Sequence, residues 1–389
     1  MTRAGKPRGA SRLARLFFAL CAAAPAASSS QPESVLALHD PSANGGGAGV
    51  AARFQAFVGD DPLPMAQYKK DWQGEYRPRD GDNSGLLSAR AELAVQAGGW
   101  ELAGLRRREI AIRMNRDTTD LMRLYKSKTD AAVDTHFAVD AEYRAVDLSG
   151  WRIGRAWRWR SGDAASLAAG IAWSELTASH TRDGNIAGSF DALGAGSYRH
   201  RIAYDDAWDR KTYPFQTPGT PSARGTALDV ALAWEEDGGA RYSLVGNDLF
   251  GRLHWHDLPG TQASSASSGT TVTDADGYIN YRPALSGRNA RRNVLQRLPE
   301  RWALGAALPW REFTLYGSLA RQQGERFALL GAAWNYSALG RLQADYDLRF
   351  GTLGISWSWR QLHVGLRSSA RSLETAHAYG LSAGLAWEF

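Results

Sequence analysis

The stretch "LQADYDLRFGTLGISWSW" (342–359) decides the fold. Leu342, Ala344, Tyr346, Leu348 and Phe350 share one parity, and Gln343, Asp345, Asp347 and Arg349 share the other. Leu353, Ile355, Trp357 and Trp359 then stand against Gly354, Ser356 and Ser358. A period of two is the mark of strands whose faces meet different media. "FAVDAEYRA" (137–145) and "ALDVALAWE" (227–235) repeat it.

Alternation alone also suits a soluble sandwich, so spacing carries the next step. From residue 301 the alternating segments are 301–309, 311–320, 326–336, 340–350, 352–359, 361–370 and 377–389, joined mostly by a few residues. That is a meander, whereas sandwiches need Greek-key crossovers. In the first half the same signal marks 87–97, 100–113, 134–146, 149–160, 164–178, 224–236 and 239–253. The expectation is an all-β chain, a transmembrane antiparallel up-and-down β-barrel of about fourteen strands, within a range of about 12–16.

Polarity follows from the strand count. If the last strand descends, the long inserts 179–223 and 254–300 lie outside and the tight junctions at 310/311, 337–339, 360/361 and 237–239 lie inside. The segment 114–133 is the exception, falling on the inner side. Tryptophans should gather at strand ends as two girdles. Trp157, Trp159, Trp234, Trp310, Trp334, Trp357, Trp359 and Trp387 fall toward inner ends, and Trp100, Trp151, Trp173, Trp255 and Trp302 toward outer ends.

Composition agrees. The 389 residues are 44% apolar and 22% charged, with a mean hydropathy of −0.39. No apolar run beyond the first 25 residues nears the ~18–20 residues of a membrane helix. Arg3, Lys6, Arg8, Arg12 and Arg15 precede "LFFALCAAA" and "PAASSS", the layout of a secretory signal over residues 1–27. Cleavage would remove five positive charges and no negative ones, taking the formal +6 to +1, so the basic balance gives no reason to expect nucleic acid. Cys21, the only cysteine, leaves with it, so no disulfide framework is available. Residues 28–85 read as a flexible lead-in and inner-side segment, and 86–389 as the barrel.

The chain ends "YGLSAGLAWEF", with Tyr379, Leu381, Leu385, Trp387 and Phe389 on one face. This resembles the C-terminal signature of Gram-negative outer-membrane β-barrel proteins, the porin-like superfamily, with no specific family indicated. The resemblance implies an outer-membrane location, with lipid, lipopolysaccharide and the insertion machinery as partners. It implies no activity.

Polar parity nominates Arg90, Glu92, Asp140, Glu142, Arg144, Asp229, Asp345, Asp347, Arg349 and Arg367 as facing the lumen, a set of mixed sign that suits a partly occluded pore. Arg282, Arg288, Arg291, Arg292 and Arg297 crowd the second insert, where guanidinium groups would hold phosphates or carboxylates of lipopolysaccharide or of solutes. In "GRAWRWR" (154–160), cation–π pairing at a membrane boundary accounts for the pattern. His254 and His256 in "LHWHD" share a face, a weak metal candidate beside the plainer reading of a wet strand end. No P-loop, dinucleotide glycine pattern, CxxC or HExxH occurs, and no cofactor is implied. The functional expectation is a pore or passive transport scaffold for small solutes, as a monomer or homo-oligomer. Its alternatives are an assembly component for an envelope polymer and a lipid-modifying enzyme.

Overall fold

A computed structural model describes residues 36, 38–44, 46–161, 165–194, 196–213, 220–267, 271–273, 279–281, 284–336 and 339–389. In chain order the strands are β1 (Gly49–Asp60), β2 (Asn83–Ala97), β3 (Trp100–Met114), β4 (His136–Ser161), β5 (Ala165–Gly194), β6 (Ser197–Trp208), β7 (Ser222–Glu236), β8 (Arg241–Ala266), β9 (Thr271–Thr273), β10 (Ile279–Tyr281), β11 (Leu285–Arg297), β12 (Arg301–Trp310), β13 (Phe313–Gln322), β14 (Glu325–Tyr336), β15 (Gly340–Asp347), β16 (Thr352–Trp359), β17 (Leu362–Ser368) and β18 (Ala378–Glu388). Among the described residues one α-helix, α1 (Arg116–Ser127), follows β3.

Antiparallel pairing runs from β1 through β2, β3, β4, β5, β7, β8 and β12 to β18, and β18 pairs back onto β1 with Gly49 opposite Glu388. The ring is a closed barrel of fourteen strands. Closure leaves no sheet edge in the ring, which is how a spanning sheet satisfies its backbone. The expected count holds through two compensating departures. Residues 134–146 and 149–160 are one strand, β4, whose pairing runs past "LSG" (148–150) with only a bulge on β5. Residues 49–60, assigned to the lead-in, form β1, hydrogen-bonded on both edges. Its period is hard to read because alanine sits on both faces and Phe57 points inward, 3% exposed.

Restoring β1 and fusing β4 reverses the polarity of β2 and β3. The segment 114–133, with α1, therefore lies at the same end as the long inserts, and Trp100 at the opposite, short-turn end. There Gly98 and Gly99, both with positive φ, turn β2 into β3. Trp255 also departs from expectation: it points inward, 1% exposed, and donates through Nε1 to Gln296 Oε1 at 2.9 Å.

The outer face carries an apolar belt. Leu93, Leu102, Leu304, Leu330, Ile355 and Leu366 are each more than half exposed. Trp151 and Trp159 on β4, and Trp302 and Trp310 on β12, stand eight residues apart. At ~3.3 Å per residue and a tilt of ~40° that separation is about 20 Å, close to the ~25 Å lipid band of such barrels. The short-turn girdle is continuous: Trp310, Phe313, Trp334 and Tyr336 follow at ring spacings of 6.5, 6.5 and 5.2 Å. Arg155 lies 4.6 Å over Trp100 and 5.8 Å over Trp157, as the cation–π reading of 154–160 expects.

Wall height is uneven. β15, β16 and β17 have 8, 8 and 7 residues, while β4, β5 and β8 have 26, 30 and 26. About 9–11 tilted residues cross a bilayer, so the long strands rise well past the rim. Their upper halves take β6 and β11 as further neighbours, building a raised wing in the order β4-β5-β6-β8-β11. The inserts 179–223 and 254–300 are thus largely sheet; β9 and β10 pair as a separate hairpin.

Candidate functional site: a plugged lumen

Residues ahead of β1 enter the barrel. Pro41–Ala43 form a single 3-10 turn capped by Asp40, whose carboxylate accepts from the Ser42 amide at 2.8 Å. The turn lies flat against β5 at Gly170, where an added Cβ would stand 2.2 Å from the Pro41 carbonyl carbon, so only glycine allows the approach. His39 anchors the segment. Its amide donates to Asn247 Oδ1 at 2.7 Å, and Asn247 Nδ2 donates back to the His39 carbonyl at 2.7 Å, so one side chain on β8 serves as a short strand partner. The imidazole Nδ1 is 2.9 Å from Asp229 of β7, and Nε2 is 3.1 Å from Glu101 of β3, an ion-pair separation off hydrogen-bond alignment. Asn44 Nδ2 donates to the Trp100 carbonyl at 2.9 Å. Leu36, 1% exposed, packs with Phe57, Tyr316, Phe327 and Leu329.

His39 belongs to a buried ionic lattice. Arg152 joins Glu92 at 2.5 Å and Glu101 at 2.8 Å, and Arg90 joins Glu92 at 2.9 Å. Arg107 grips Asp248 with two bonds of 2.6 and 2.9 Å and Glu109 with one of 2.6 Å, while Arg301 reaches Asp248 at 2.5 Å. Asp248 has φ +58°. It sits where β8 exchanges its lower neighbour β12 for its upper neighbour β11, and the irregular backbone turns its carboxylate toward the two arginines. Breaking such a pair leaves an unmatched buried charge, at a cost of roughly 3–5 kcal/mol. Above the lattice an inward apolar cluster that includes Leu105, Leu148, Leu176, Leu253, Trp255 and Leu298 occupies the long-strand side.

Below the plug the interior is hollow. A cavity of about 740 Å³, bordered by Leu36, His39 and Asn44 of the plug, extends to Arg158, Gln361 and Glu388 near the short-turn rim. At the other end lie the loop 61–82 and α1. Arg349 grips Asp61 at 2.5 and 2.8 Å and Glu325 at 2.8 Å. The Tyr76 hydroxyl donates to Asp120 of α1 with Arg123 4.3 Å over its ring; burial and the Asp120 carboxylate raise this phenol above its ordinary range, keeping it a donor.

Of the residues nominated from parity, Arg90, Glu92, Asp229, Asp345 and Asp347 are buried inside the barrel, with Arg367 paired to Asp345 at 2.7 Å. Arg349 is at the rim. Asp140, Glu142 and Arg144 keep the inward parity, but on the raised part of β4; Arg113 meets Glu142 at 3.0 Å and Arg144 meets Asp183 at 3.2 Å. Arg282 lies outside the described residues, as do the proposed signal 1–27 and residues 28–35. Arg288, Arg291, Arg292 and Arg297 stand on a strand instead of a loop, which divides them between two faces. Arg291 is tied to Asp257 at 2.7 Å, Arg292 to Asp205 at 2.6 Å, and Arg288 to Gln262 at 2.7 Å. They do not converge on one ligand. His254 and His256 are exposed on β8, and among the described residues no group of three potential metal ligands forms. Tyr379, Leu381 and Leu385 face outward on β18, Trp387 is half-buried, and the Phe389 amide donates to the Ala48 carbonyl at 2.8 Å.

Sequence reasoning did not place His39, Glu101, Arg107, Glu109, Arg152, Asp248 or Arg301 in the lumen; Arg301 reads there as the last arginine of the basic stretch 281–301. In "WELAGLRRREI" (100–110) the parity that exposes Trp100 and Leu102 also places Glu101, Arg107 and Glu109 inside. Nothing in the sequence announces His39, which precedes the first strand.

No family model and no curated protein matches the chain. Among solved structures it is similar to a TodX monoaromatic hydrocarbon channel variant, with 12% identity over 95% of this chain and 98% of that one at a TM-score of 0.43. It is also similar to the translocator domain of autotransporter NalP from Neisseria meningitidis, with 10% identity over 98% and 96% at 0.27, and to a Pseudomonas aeruginosa FadL homologue, with 11% over 90% and 93% at 0.24. These scores say nothing of substrate or gating. A closed antiparallel ring with an apolar belt, aromatic girdles and a charged interior is, by its own geometry, a transmembrane β-barrel.

Proposed function

We propose that the chain is an outer-membrane channel for small hydrophilic solutes, held shut by its N-terminal segment. The supporting observation is the cavity of about 740 Å³, which reaches the short-turn rim and is bounded on the other side by residues 36–44. An ordinary structural filling would extend the apolar packing through the lumen; here a space of that volume, lined by polar and apolar residues alike, sits beneath a segment held by non-covalent contacts to β3, β7 and β8. The aromatic girdles and the terminal strand support placement in the outer membrane, with the short turns facing the periplasm and the wing outside. This sharpens the passive-pore expectation: the occlusion comes from one removable element together with the side-chain lattice above it.

Single-channel recording in planar bilayers tests the reading. Wild-type protein should give small or rare openings. Deleting residues 28–44, or combining His39→Ala with Asn247→Ala, should raise the open fraction at least tenfold with heat-modifiability retained. Silence in all three forms would remove the channel reading and favour the assembly scaffold, for which the raised wing offers the outward surface.

A further inference from the structure

Five adjacent strands, β15, β16, β17, β18 and β1, form the cavity wall on the side away from the lattice. Their register puts Arg341, Ser358, His363, Gly384 and Arg53 in one row across the wall. The row above it is Gln343, Ser356, Gly365, Ser382 and Gln55. All ten share the inward parity, opposite exposed Leu342, Ile355, Leu366 and Leu381. The two rows are therefore ten adjacent grid positions of arginine, glutamine, serine, histidine and glycine, without one carboxylate and without one apolar side chain; Ala51, Ala386 and Glu388 continue the wall toward the short-turn rim.

Its polar groups are already organised. His363 Nδ1 lies 2.8 Å from Ser358 Oγ, and Nε2 lies 3.1 Å from Ser382 Oγ. With the Gln343 amide turned to satisfy its neighbours, its nitrogen donates to Ser356 Oγ at 2.9 Å and its oxygen accepts from Arg341 Nε and Nη2 at 3.2 Å. Arg341 has no carboxylate within 4.0 Å among the described residues. The nearest to Arg53 is Glu92 at 3.9 Å, which Arg90 and Arg152 already hold. Between Arg53 and His363, Gly384 leaves a recess where an added Cβ would meet nothing nearer than 3.6 Å. The two arginines are four strand spacings apart, ~19 Å along the wall, and the concave curvature of a barrel brings their heads closer.

From this juxtaposition we infer that the wall is a binding shelf for a small, hydroxyl-bearing oxyanion, a carboxylate or a phosphate. Guanidinium groups only donate and fit such oxygens in pairs; serine and glutamine side chains both donate and accept, as hydroxyl groups require. The cavity as a whole is lined by six arginines and four carboxylates, so the field inside favours an anion. Hydrocarbon or acyl chains find no apolar surface on the shelf. The inference deepens the channel reading by naming its solute class, yet binding can be measured whether or not the barrel conducts.

The test is isothermal titration of detergent-solubilised full-length protein with sodium gluconate, inorganic phosphate and sorbitol, the last an uncharged polyol with the six-carbon chain of gluconate and a hydroxymethyl group in place of its carboxylate. Gluconate should bind and sorbitol should not; phosphate binding comparable to gluconate would place recognition in the oxyanion, and weaker phosphate binding would identify a hydroxylated carboxylate. The double variant Arg53→Gln/Arg341→Gln should weaken gluconate at least tenfold. Arg341→Lys, which keeps charge and loses the fork, should fall between, and is the readout if the double variant does not fold. Arg311→Gln, on the outside over Trp310, should leave binding unchanged. No binding of either anion, equal binding of sorbitol, or unaltered binding in a folded Arg53/Arg341 variant would overturn the proposal, whatever the conductance shows.

Discussion

Neighbouring residues on one strand of this barrel live in different solvents. Ile355 is 54% exposed on the outer belt, and Ser356, next to it, is buried inside with its hydroxyl on Gln343. Ile355→Arg should cost roughly 2–4 kcal/mol near the bilayer midplane, whereas Ser356→Ala loses only one hydrogen bond of about 1 kcal/mol. Urea-induced unfolding from lipid vesicles measures both, and equal tolerance would mean that the faces are reversed. A parity argument of this kind was legible in the sequence because lipid forces every second residue to be apolar. His39 was not legible: its partners Asp229 and Asn247 lie 190 and 208 residues away, and no local period records such contacts.

At the scale of elements, the wing and the last strand make separate predictions. β11 is held to β6 partly through Asp205 and Arg292 at 2.6 Å. Burial raises the Asp205 pKa, but the hydrogen bonds from Arg292 and Gln262 and the charge of Arg292 outweigh it and hold the carboxyl below its ordinary range. A depressed carboxyl stabilises above its unfolded value of about 3.9 and stops doing so as pH falls through the folded value. Amide-exchange protection of residues 285–292, corrected for intrinsic rates, should therefore be full at pH 5 and fall toward pH 3. Asp205→Asn should abolish that pH dependence. On β18, deleting Phe389 removes the terminal aromatic and its backbone bond to Ala48. The amount of folded, heat-modifiable protein in membranes should drop severalfold; wild-type levels would count against the terminal segment as an assembly signal. Strands from residue 301 onward were readable because short turns keep the period in view. β1 was missed because alanines blur its period, and β6 and β11 because their interrupted strands read as insert.

The whole molecule is an uneven cylinder: low on the side of β15 to β17, tall on the side of β4, β5 and β8, hollow below and packed above. Removing residues 28–44 should change conductance and leave the barrel standing, because β1 closes the ring by itself; deleting β1 would open it. The sequence alone determined the class of object, an antiparallel barrel with an apolar belt and a charged interior, since a two-solvent boundary stamps a period of two on every crossing strand. It also yielded the right number of strands, through one omission and one surplus. Which charges meet across the lumen, that the N-terminal segment lies within it, and that two rows of one wall hold arginines and no carboxylate were decided only by closure of the sheet. Pairing register and barrel curvature set those distances, and both arise from contacts between residues far apart in the chain.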